Sequence, residues 1–454
     1  MLKTTDNNYG NFLLVPDEEH CANLSSIGNR NVRDLCQKNK DLLIFPQLLG
    51  EYHDDIEKSP IFWLEDTVLT TRNIMGFVGR NETQLTISSR FAKNNDYFLH
   101  YMLQKVFSIN LFKFDQAPDK ENLWDFLLYL FPYYLKKAYA QGLYKKYKRE
   151  EYNDANVKGT IDVKRHIRIN IPFCGKIAYT TREHSHDNAV TQLIRHTIEH
   201  IKTHPFGGGV LTSDSEVRDI VSKFCCVTEN SYNKNARQKI IAANFKSVSH
   251  PYFTEYKMLQ KICLRILQRE KLSFGVEKDK IYGLLFDGAW LWEEYLSTIL
   301  KDDFFHPENK TKKFKINLFD DFQPIYPDFI SKSSPIVVCD AKYIPLDNKK
   351  VYAENDEKST SVYYKTITYM YRLKSDYGFL LFPYSGEKFF DKEYKIKETS
   401  GRLRKFGLPI PQEAEDFANF QCKMKVGEHN ILLKLKEIIS AACVLCVMLN
   451  TFQP

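Results

Sequence analysis

Apolar positions along the chain recur with two periods, and the change between them marks its parts. Ile74-Met75-Gly76-Phe77-Val78-Gly79 and Thr83-Gln84-Leu85-Thr86-Ile87 are strand-like runs on either side of a polar turn at residues 80–82, which predicts a hairpin. Asp41-Leu42-Leu43-Ile44-Phe45 is a shorter apolar run stopped by Pro46. Over residues 97–112 the positions Phe98, Tyr101, Met102 and Val106 follow helical spacing, with Lys105 as the outlier, and predict a helix closing a strand-rich segment, residues 1–112. Residues 113–278 read as mainly helical. Within them, residues 123–139 are too apolar all round for an exposed helix (Trp124, Phe126, Leu127, Leu130, Phe131), and Pro132 predicts a bend or a new segment. Residues 188–200 carry Ala189, Leu193, Ile194, Thr197 and Ile198 on one helical side.

From residue 279 the character changes. A helix is expected over 284–300, with Phe286, Leu291, Trp292, Tyr295, Leu296 and Ile299 apolar and Glu293-Glu294 in its middle. A Lys-rich connector, 310–315, leads to Tyr326-Pro327-Asp328-Phe329-Ile330 and then to Ile336-Val337-Val338-Cys339-Asp340-Ala341-Lys342-Tyr343. After a charged loop, 347–358, come a Tyr-rich helix at 363–373 and a strand at 378–383. Helix, strand, strand, helix, strand is the order of a compact α/β nuclease core, assigned to 279–425. An apolar C-terminal helix and tail, 426–454, follows. The expected class is α/β, or α+β overall: a strand-rich N-terminal domain, a helical middle region and a C-terminal α/β nuclease-like core.

Composition narrows the setting. With 454 residues, 43% hydrophobic and 27% charged, the chain is long enough for two to four ordinary domains and needs neither a disordered nor a membrane reading. A net charge of +7 suits a nucleic-acid partner without requiring one. The N-terminus lacks the apolar stretch of a signal peptide, and the longest apolar run, 438–449, is too short to span a bilayer, so no membrane association is expected. Ten scattered cysteines fit reduced thiols and a cytoplasmic location; Cys443 and Cys446 read as packing residues.

The candidate chemistry lies at the end of the β-branched run. Asp/Glu-x-Lys is common and by itself uninformative: Asp162-Val163-Lys164, Glu255-Tyr256-Lys257, Glu308-Asn309-Lys310, Asp356-Glu357-Lys358 and Glu393-Tyr394-Lys395 also fit. Asp340-Ala341-Lys342 differs because it ends what looks like a buried central strand, where charge is costly unless paired or metal-bound, and because Pro327-Asp328 precedes it closely enough for an adjacent strand to align the carboxylates. Hydrolysis of a phosphodiester needs a hard cation, Mg²⁺ or alternatively Mn²⁺, held by carboxylates and carbonyls. Asp328, Asp340, the Ala341 carbonyl and Glu293 are the candidate ligands, and Lys342, two residues beyond Asp340, the candidate group for orienting water and stabilising charge. The competing reading is an inert buried ion pair.

Further basic residues, Lys145, Lys146, Lys148 and Arg149, with Lys164, Arg165 and Arg168, lie among Tyr144, Tyr147 and Tyr152. They suit either a DNA-backbone surface or a solvated helix face and loop. His196 and His200 have the spacing of a zinc pair but no acidic third ligand, which favours a surface or packing role. Gly207-Gly208-Gly209, after His204-Pro205-Phe206, lacks the Gly-Lys-Ser/Thr of a phosphate loop and reads as a flexible turn. The chain itself is expected to bind no nucleotide.

Taken in order, these motifs resemble the McrC-type subunits of McrBC modification-dependent (5-methylcytosine-specific) restriction systems, including the LlaJI-like endonucleases. The resemblance covers about residues 70–425. It rests on Gly76-Phe77-Val78-Gly79 with Leu85-Thr86-Ile87, Gly142-Leu143-Tyr144, Val157-Lys158-Gly159-Thr160-Ile161-Asp162, Glu183-His184-Ser185-His186-Asp187-Asn188, Leu291-Trp292-Glu293-Glu294-Tyr295 and the Pro-Asp with Asp-x-Lys. It implies a PD-(D/E)xK DNA endonuclease whose N-terminal part docks on a hexameric AAA+ GTPase, an McrB-like subunit that recognises and translocates double-stranded DNA. By that likeness Asp328, Asp340 and Lys342 are catalytic and Glu293 is the acidic position of the first nuclease helix. The family places Gln where this chain has Lys365, four residues before Tyr369, so Lys365 is a candidate DNA contact. The alternative function is a non-catalytic adaptor that bridges DNA and stimulates the partner GTPase.

Overall fold

The structure, a computed structural model, describes residues 2–9, 11–39, 42–46, 59–92, 97–107, 120–203, 207–212, 214–268, 281–307, 316–347 and 357–450. Asp41, residues 108–112 of the expected closing helix, His204-Pro205-Phe206, the 310–315 connector and residues 348–356 of the charged loop lie outside the described residues, as do the side chains of Trp124, Phe126, Leu127, Cys443 and Cys446. Two compact units divide the chain: Met1–Leu111 together with Glu277–Pro454, and Phe112–Val276. No helix among the described residues is long and apolar enough to cross a membrane.

The first unit contains two large sheets. One runs in the order Leu2–Thr5, Thr83–Ser88, Ile74–Arg80, Ile281–Asp287, Leu42–Phe45. The expected hairpin is its centre, with Gly76 opposite Ile87 and Arg80 opposite Thr83. Ile281–Asp287 comes from the far end of the chain yet pairs antiparallel with Ile74–Arg80 and parallel with Leu42–Phe45. The first and third segments of the sequence reading therefore share one unit.

The expectation of a helix from residue 284 is corrected here: Leu284 to Asp287 are strand, and the helix is Gly288–Leu300. A continuous apolar run such as Leu284-Leu285-Phe286 fits a buried strand as well as a buried helix. Both of its edges find hydrogen-bond partners in the sheet, which decides for the strand. Asp287 closes the strand and caps the helix, its Oδ1 accepting from the backbone N–H of Ala289 at 2.7 Å and of Trp290 at 3.1 Å.

The second sheet has six strands in the order Phe304–Phe305, Phe329–Ser331, Val337–Ala341, Tyr377–Tyr384, Arg402–Pro409, Phe390–Lys395. Val337–Ala341, Tyr377–Tyr384 and Arg402–Pro409 are mutually parallel, and the remaining pairings are antiparallel. Glu357–Arg372 is the crossover helix between the first two parallel strands. Val337, Val338, Cys339, Phe379, Leu380, Leu381 and Phe382 are completely buried, as expected of central strands covered on both faces. The expected order of helix, strand, strand, helix, strand is present with three unexpected two-residue strands, Phe304–Phe305, Ile316–Asn317 and Pro324–Ile325, between the helix Gly288–Leu300 and the strand Phe329–Ser331. The last helix starts earlier than expected and runs Phe417–Asn450.

The second unit is built on the helices Lys120–Tyr139, Ala189–Thr203, Ser215–Val227 and Tyr256–Gln268, but it also holds a three-stranded antiparallel sheet. The basic run is therefore neither helix nor loop: Lys146–Asp154 pairs with Ile177–Ser185, which in turn pairs with Thr160–Ile161. Cross-strand chemistry explains it, with Lys148 opposite Glu183, and Tyr147 opposite His184 at a ring separation of 3.8 Å. Pro132 sits inside one helix, Lys120–Tyr139, and starts no new segment. Gly207–Thr212 is a short helix rather than a turn. His196 is buried with its ring 4.8 Å from that of Tyr232, a packing role.

Gly76 tests the strand exchange that unites the first sheet. Its φ is +126°, and a Cβ there would lie 2.1 Å from the Leu284 carbonyl oxygen. Gly76→Ala should lower the urea-unfolding free energy by about 3 kcal/mol, combining backbone strain with loss of close strand approach. An unchanged midpoint would contradict this account of the pairing.

Candidate active site

Strand register, not sequence distance, assembles the site. Phe329 stands opposite Cys339 in an antiparallel pair, so Asp328, one residue before its strand, falls level with Asp340 near the end of the neighbouring one. The Ala341 N–H donates to Asp328 Oδ2 at 2.8 Å. Lys342, just past the strand end, places Nζ 2.5 Å from Asp340 Oδ2 and 4.0 Å from Asp328 Oδ2, and 3.3 Å from the Ala341 carbonyl oxygen. Its own N–H is held by the Leu381 carbonyl at 2.8 Å. The structure thus brings Asp328, Asp340, Ala341 and Lys342 together.

Glu293 belongs to the Gly288–Leu300 helix, which is tied to the same sheet by Trp292 Nε1 donating to the Leu381 carbonyl at 3.2 Å. Its carboxylate is 3.8 Å from His306 Nε2, and its charge acts on Asp328. The other ring nitrogen of His306 is 2.9 Å from the Asp328 carbonyl oxygen, and the ring stacks on Phe329. Lys365 is exposed on the crossover helix, but its charge reaches both Asp340 and Lys342, and its Nζ lies 5.7 Å from the Tyr369 ring centre.

Two groups here escaped sequence reasoning. Thr366 Oγ1 donates toward Asp340 Oδ2 at 3.4 Å; its only sequence signal is a polar residue on the buried side of a helix, between Tyr363 and Tyr369. Nothing in the sequence singles out His306, since its role depends on the pairing of Phe304–Phe305 with Phe329–Ser331.

The electrostatics are asymmetric. Burial, then the Asp340 and Glu293 charges, push the Asp328 carboxyl well above the usual carboxylate range. Burial works the same way on Asp340 and is the largest influence, but the Lys342 charge, a hydrogen bond with Asp328 and the Lys365 charge together hold this carboxyl below its ordinary value. Burial opposes the charge on Lys342 too, yet Asp340 and Asp328 raise its pKa. The Tyr369 phenol is pushed up by burial and by both carboxylates. Asp340 is fully buried, and its Oδ1 has no hydrogen-bond partner among the described residues.

An orphaned carboxylate oxygen beside a second carboxyl and a backbone carbonyl is a donor set of hard oxygens, which fits Mg²⁺ or Mn²⁺. Among the described residues no three His, Cys, Asp or Glu side chains converge closely enough to hold an ion by themselves. Two carboxylates and the Ala341 carbonyl, completed by water, are therefore the set that fits, with Glu293 beside it.

Two of the rival triplets have ordinary duties. Asp162 caps the helix Val163–Ile169, and Glu393 pairs with Arg402 at 3.3 Å. Glu308, Lys310 and Asp356 lie outside the described residues. In the second unit, Lys148 is engaged by Glu150 at 3.0 Å and Asp187 at 3.3 Å, while Lys145, Lys146 and Arg149 are exposed.

Fold and site together define a mixed α+β protein with a buried carboxylate–lysine centre where parallel and antiparallel strands meet. The chain belongs to the family described as McrBC 5-methylcytosine restriction system component, which matches residues 69–383 and so includes every residue of that centre. Similar solved structures are a refined half-complex from a tetradecameric assembly of Thermococcus gammatolerans McrB AAA+ hexamers with bound McrC (14% identity, 95% of this chain and 99% of that chain, TM-score 0.41) and the cryo-EM structure of the Thermococcus gammatolerans McrBC complex (14%, 66% and 87%, TM-score 0.28). No curated protein matches.

The asymmetry gives a stability test. Because the folded state raises the Asp328 pKa above its unfolded value, stability is lost as pH rises from about 4, the ordinary carboxylate value, through the raised pKa. In EDTA at neutral pH, Asp328→Asn should therefore be more stable than the unmutated chain by about 1 kcal/mol, a gap that closes near pH 4. A variant equally or less stable at neutral pH would show that the carboxylates are not in conflict.

Proposed function

We propose that this chain is the McrC-type nuclease subunit of a McrBC restriction system, a metal-dependent endodeoxyribonuclease with a PD-(D/E)xK core. The observation that carries the reading is the convergence of Asp328, Asp340 and Lys342 around a buried carboxylate oxygen that has no hydrogen-bond partner among the described residues. Asp328, Asp340 and the Ala341 carbonyl would hold Mg²⁺. Bound there, the cation would neutralise phosphoryl charge and acidify a water. Lys342 orients the attacking water and stabilises the charge that develops on the phosphate. Thr366 fixes the Asp340 carboxylate, His306 steadies Glu293 at the rim, and Lys365 offers a cation to the DNA backbone.

The family match supports a two-part machine. In this reading the N-terminal segment docks on an McrB-like hexameric AAA+ GTPase, which recognises modified double-stranded DNA and brings it to the cutting site. That partner supplies the nucleotide chemistry for which this sequence has no fingerprint. Exposed Lys145, Lys146 and Arg149 extend the basic surface open to DNA or the partner.

Asp340→Ala should reduce cleavage by the reconstituted complex at least about 100-fold, the scale expected when an electrostatic element of phosphoryl transfer is lost. Complex assembly and GTP hydrolysis should persist. Cleavage at the unmutated rate would refute the site, and intact DNA with the unmutated chain across methylated substrates would favour the adaptor reading. Reversing Lys145, Lys146 and Arg149 to Glu should weaken DNA binding or assembly and flatten the salt dependence, with a slope change of about 1 per lost phosphate contact. Unchanged binding and assembly would return this strand to an ordinary solvated face.

A further inference from the structure

The end of the Asp340 strand is held by an ion pair from the other sheet of the same unit, its carboxylate buried and its guanidinium largely so. Arg90 follows Thr83–Ser88, and its guanidinium meets three groups: the Asp6 carboxylate, Asn73 Oδ1 at 3.2 Å, and the carbonyl oxygen of Tyr343. Asp6 is completely buried and also accepts from the Arg90 N–H at 2.6 Å. The guanidinium carbon lies 4.8 Å from the Tyr343 ring centre, the Phe91 ring meets Tyr343 edge-on at 4.9 Å, and the Tyr343 hydroxyl is 2.6 Å from Ser89 Oγ.

Tyr343 is the residue after Lys342, and both lie beyond Ala341, the last residue of their strand. Fixing the Tyr343 carbonyl and ring from one side, while the Leu381 carbonyl holds the Lys342 N–H from the other, leaves the Lys342 backbone little freedom. The same cluster reaches the Glu293 helix. The Asn73 carbonyl accepts from the N–H of Gly288, the first residue of that helix, at 2.9 Å, and a Cβ on Gly288 would lie 2.8 Å from the Tyr343 ring.

A buried ion pair is a poor source of stability, because desolvation offsets much of the attraction, whereas its directional bonds fix geometry well. Burial pushes the Asp6 carboxyl up to about 6 against the pull of Arg90, so the pair is retained at an energetic cost.

We propose that Arg90, oriented by Asp6, is a positioning residue for DNA cleavage, acting through Tyr343 on Lys342 and through Asn73 and Gly288 on the Glu293 helix. The inference rests on the nuclease reading above. The test is single-turnover DNA cleavage by the full chain assembled with its AAA+ GTPase, GTP and Mg²⁺, comparing Arg90→Lys, Lys342→Gln and the double variant. Lys keeps the charge but cannot bridge Asp6, Asn73 and the Tyr343 carbonyl at once. Arg90→Lys should slow cleavage about 10- to 100-fold, as displacement of a reacting group by about 1 Å does. Half-saturating DNA concentration, assembly and GTP hydrolysis should not change, and the effect should shrink or vanish in the Lys342→Gln background.

Ser89→Ala, which removes the bond to the Tyr343 hydroxyl and a longer one from the Phe91 N–H but leaves the Arg90 guanidinium contacts in place, should give a smaller loss with the same dependence on Lys342, and it serves if Arg90→Lys fails to fold. An unmutated cleavage rate in a folded Arg90→Lys chain, or the same fold loss with and without Lys342, overturns the inference while leaving the nuclease reading intact. Unmutated cleavage by Lys342→Gln overturns the nuclease reading and the inference with it.

Discussion

Two carboxyl groups are buried beside one ammonium at the end of a central strand, and much of the first unit can be understood as the means of keeping them there. Taken out of water, like charges this close cannot both ionise unless a cation joins them. The fold distributes the conflict unequally: Asp340 has the ammonium and the Thr366 hydroxyl, while Asp328 has the Ala341 N–H and is driven toward keeping its proton. One oxygen of the Asp340 carboxylate is left with no hydrogen-bond partner among the described residues. A site optimised only for stability would contain neither the conflict nor the orphan, and both are what a hard cation would relieve.

Holding such a centre requires rigid surroundings. The Glu293 helix is capped by Asp287, a residue whose own strand is inserted in the N-terminal sheet. Its buried face is bound by Trp292 to the Leu381 carbonyl, and by the Tyr295 hydroxyl to Glu428 at 2.7 Å; Glu428 also receives the Tyr101 hydroxyl at 2.7 Å and Lys105 at 2.9 Å. Lys105, the outlier of the helical pattern, is thereby accounted for. The two sheets of this unit are consequently linked by polar contacts at the places where the chemistry-bearing elements begin and end.

The second unit applies different physics. Its basic strand is a charged ribbon, partly neutralised where Lys148 meets Glu150 and Asp187 and open at Lys145, Lys146 and Arg149. Such surfaces contribute through long-range, salt-dependent attraction rather than through directional bonds. In the proposed reading, cutting chemistry and polyanion attraction fall to separate compact units of one chain.

What the sequence determined by itself was local. A β-branched run ending in Asp-Ala-Lys, a hairpin around residues 80–82, an amphipathic helix near His196 and a Tyr-rich crossover helix each follow from periodicity and side-chain type, and the order of elements around Asp340 was readable for the same reason. Tertiary structure decided which runs found partners. Leu284-Leu285-Phe286 became strand because two sheet edges were available, and the basic run became strand because Glu183 and His184 lay opposite. His306, Thr366 and the Asp6–Arg90 pair entered the site's surroundings through contacts between residues 22 to 253 positions apart. Hydrophobic periodicity reports how one segment meets its nearest surroundings. A polar group held by a partner far along the chain leaves no period to read, and only the folded register brings the two within hydrogen-bonding distance.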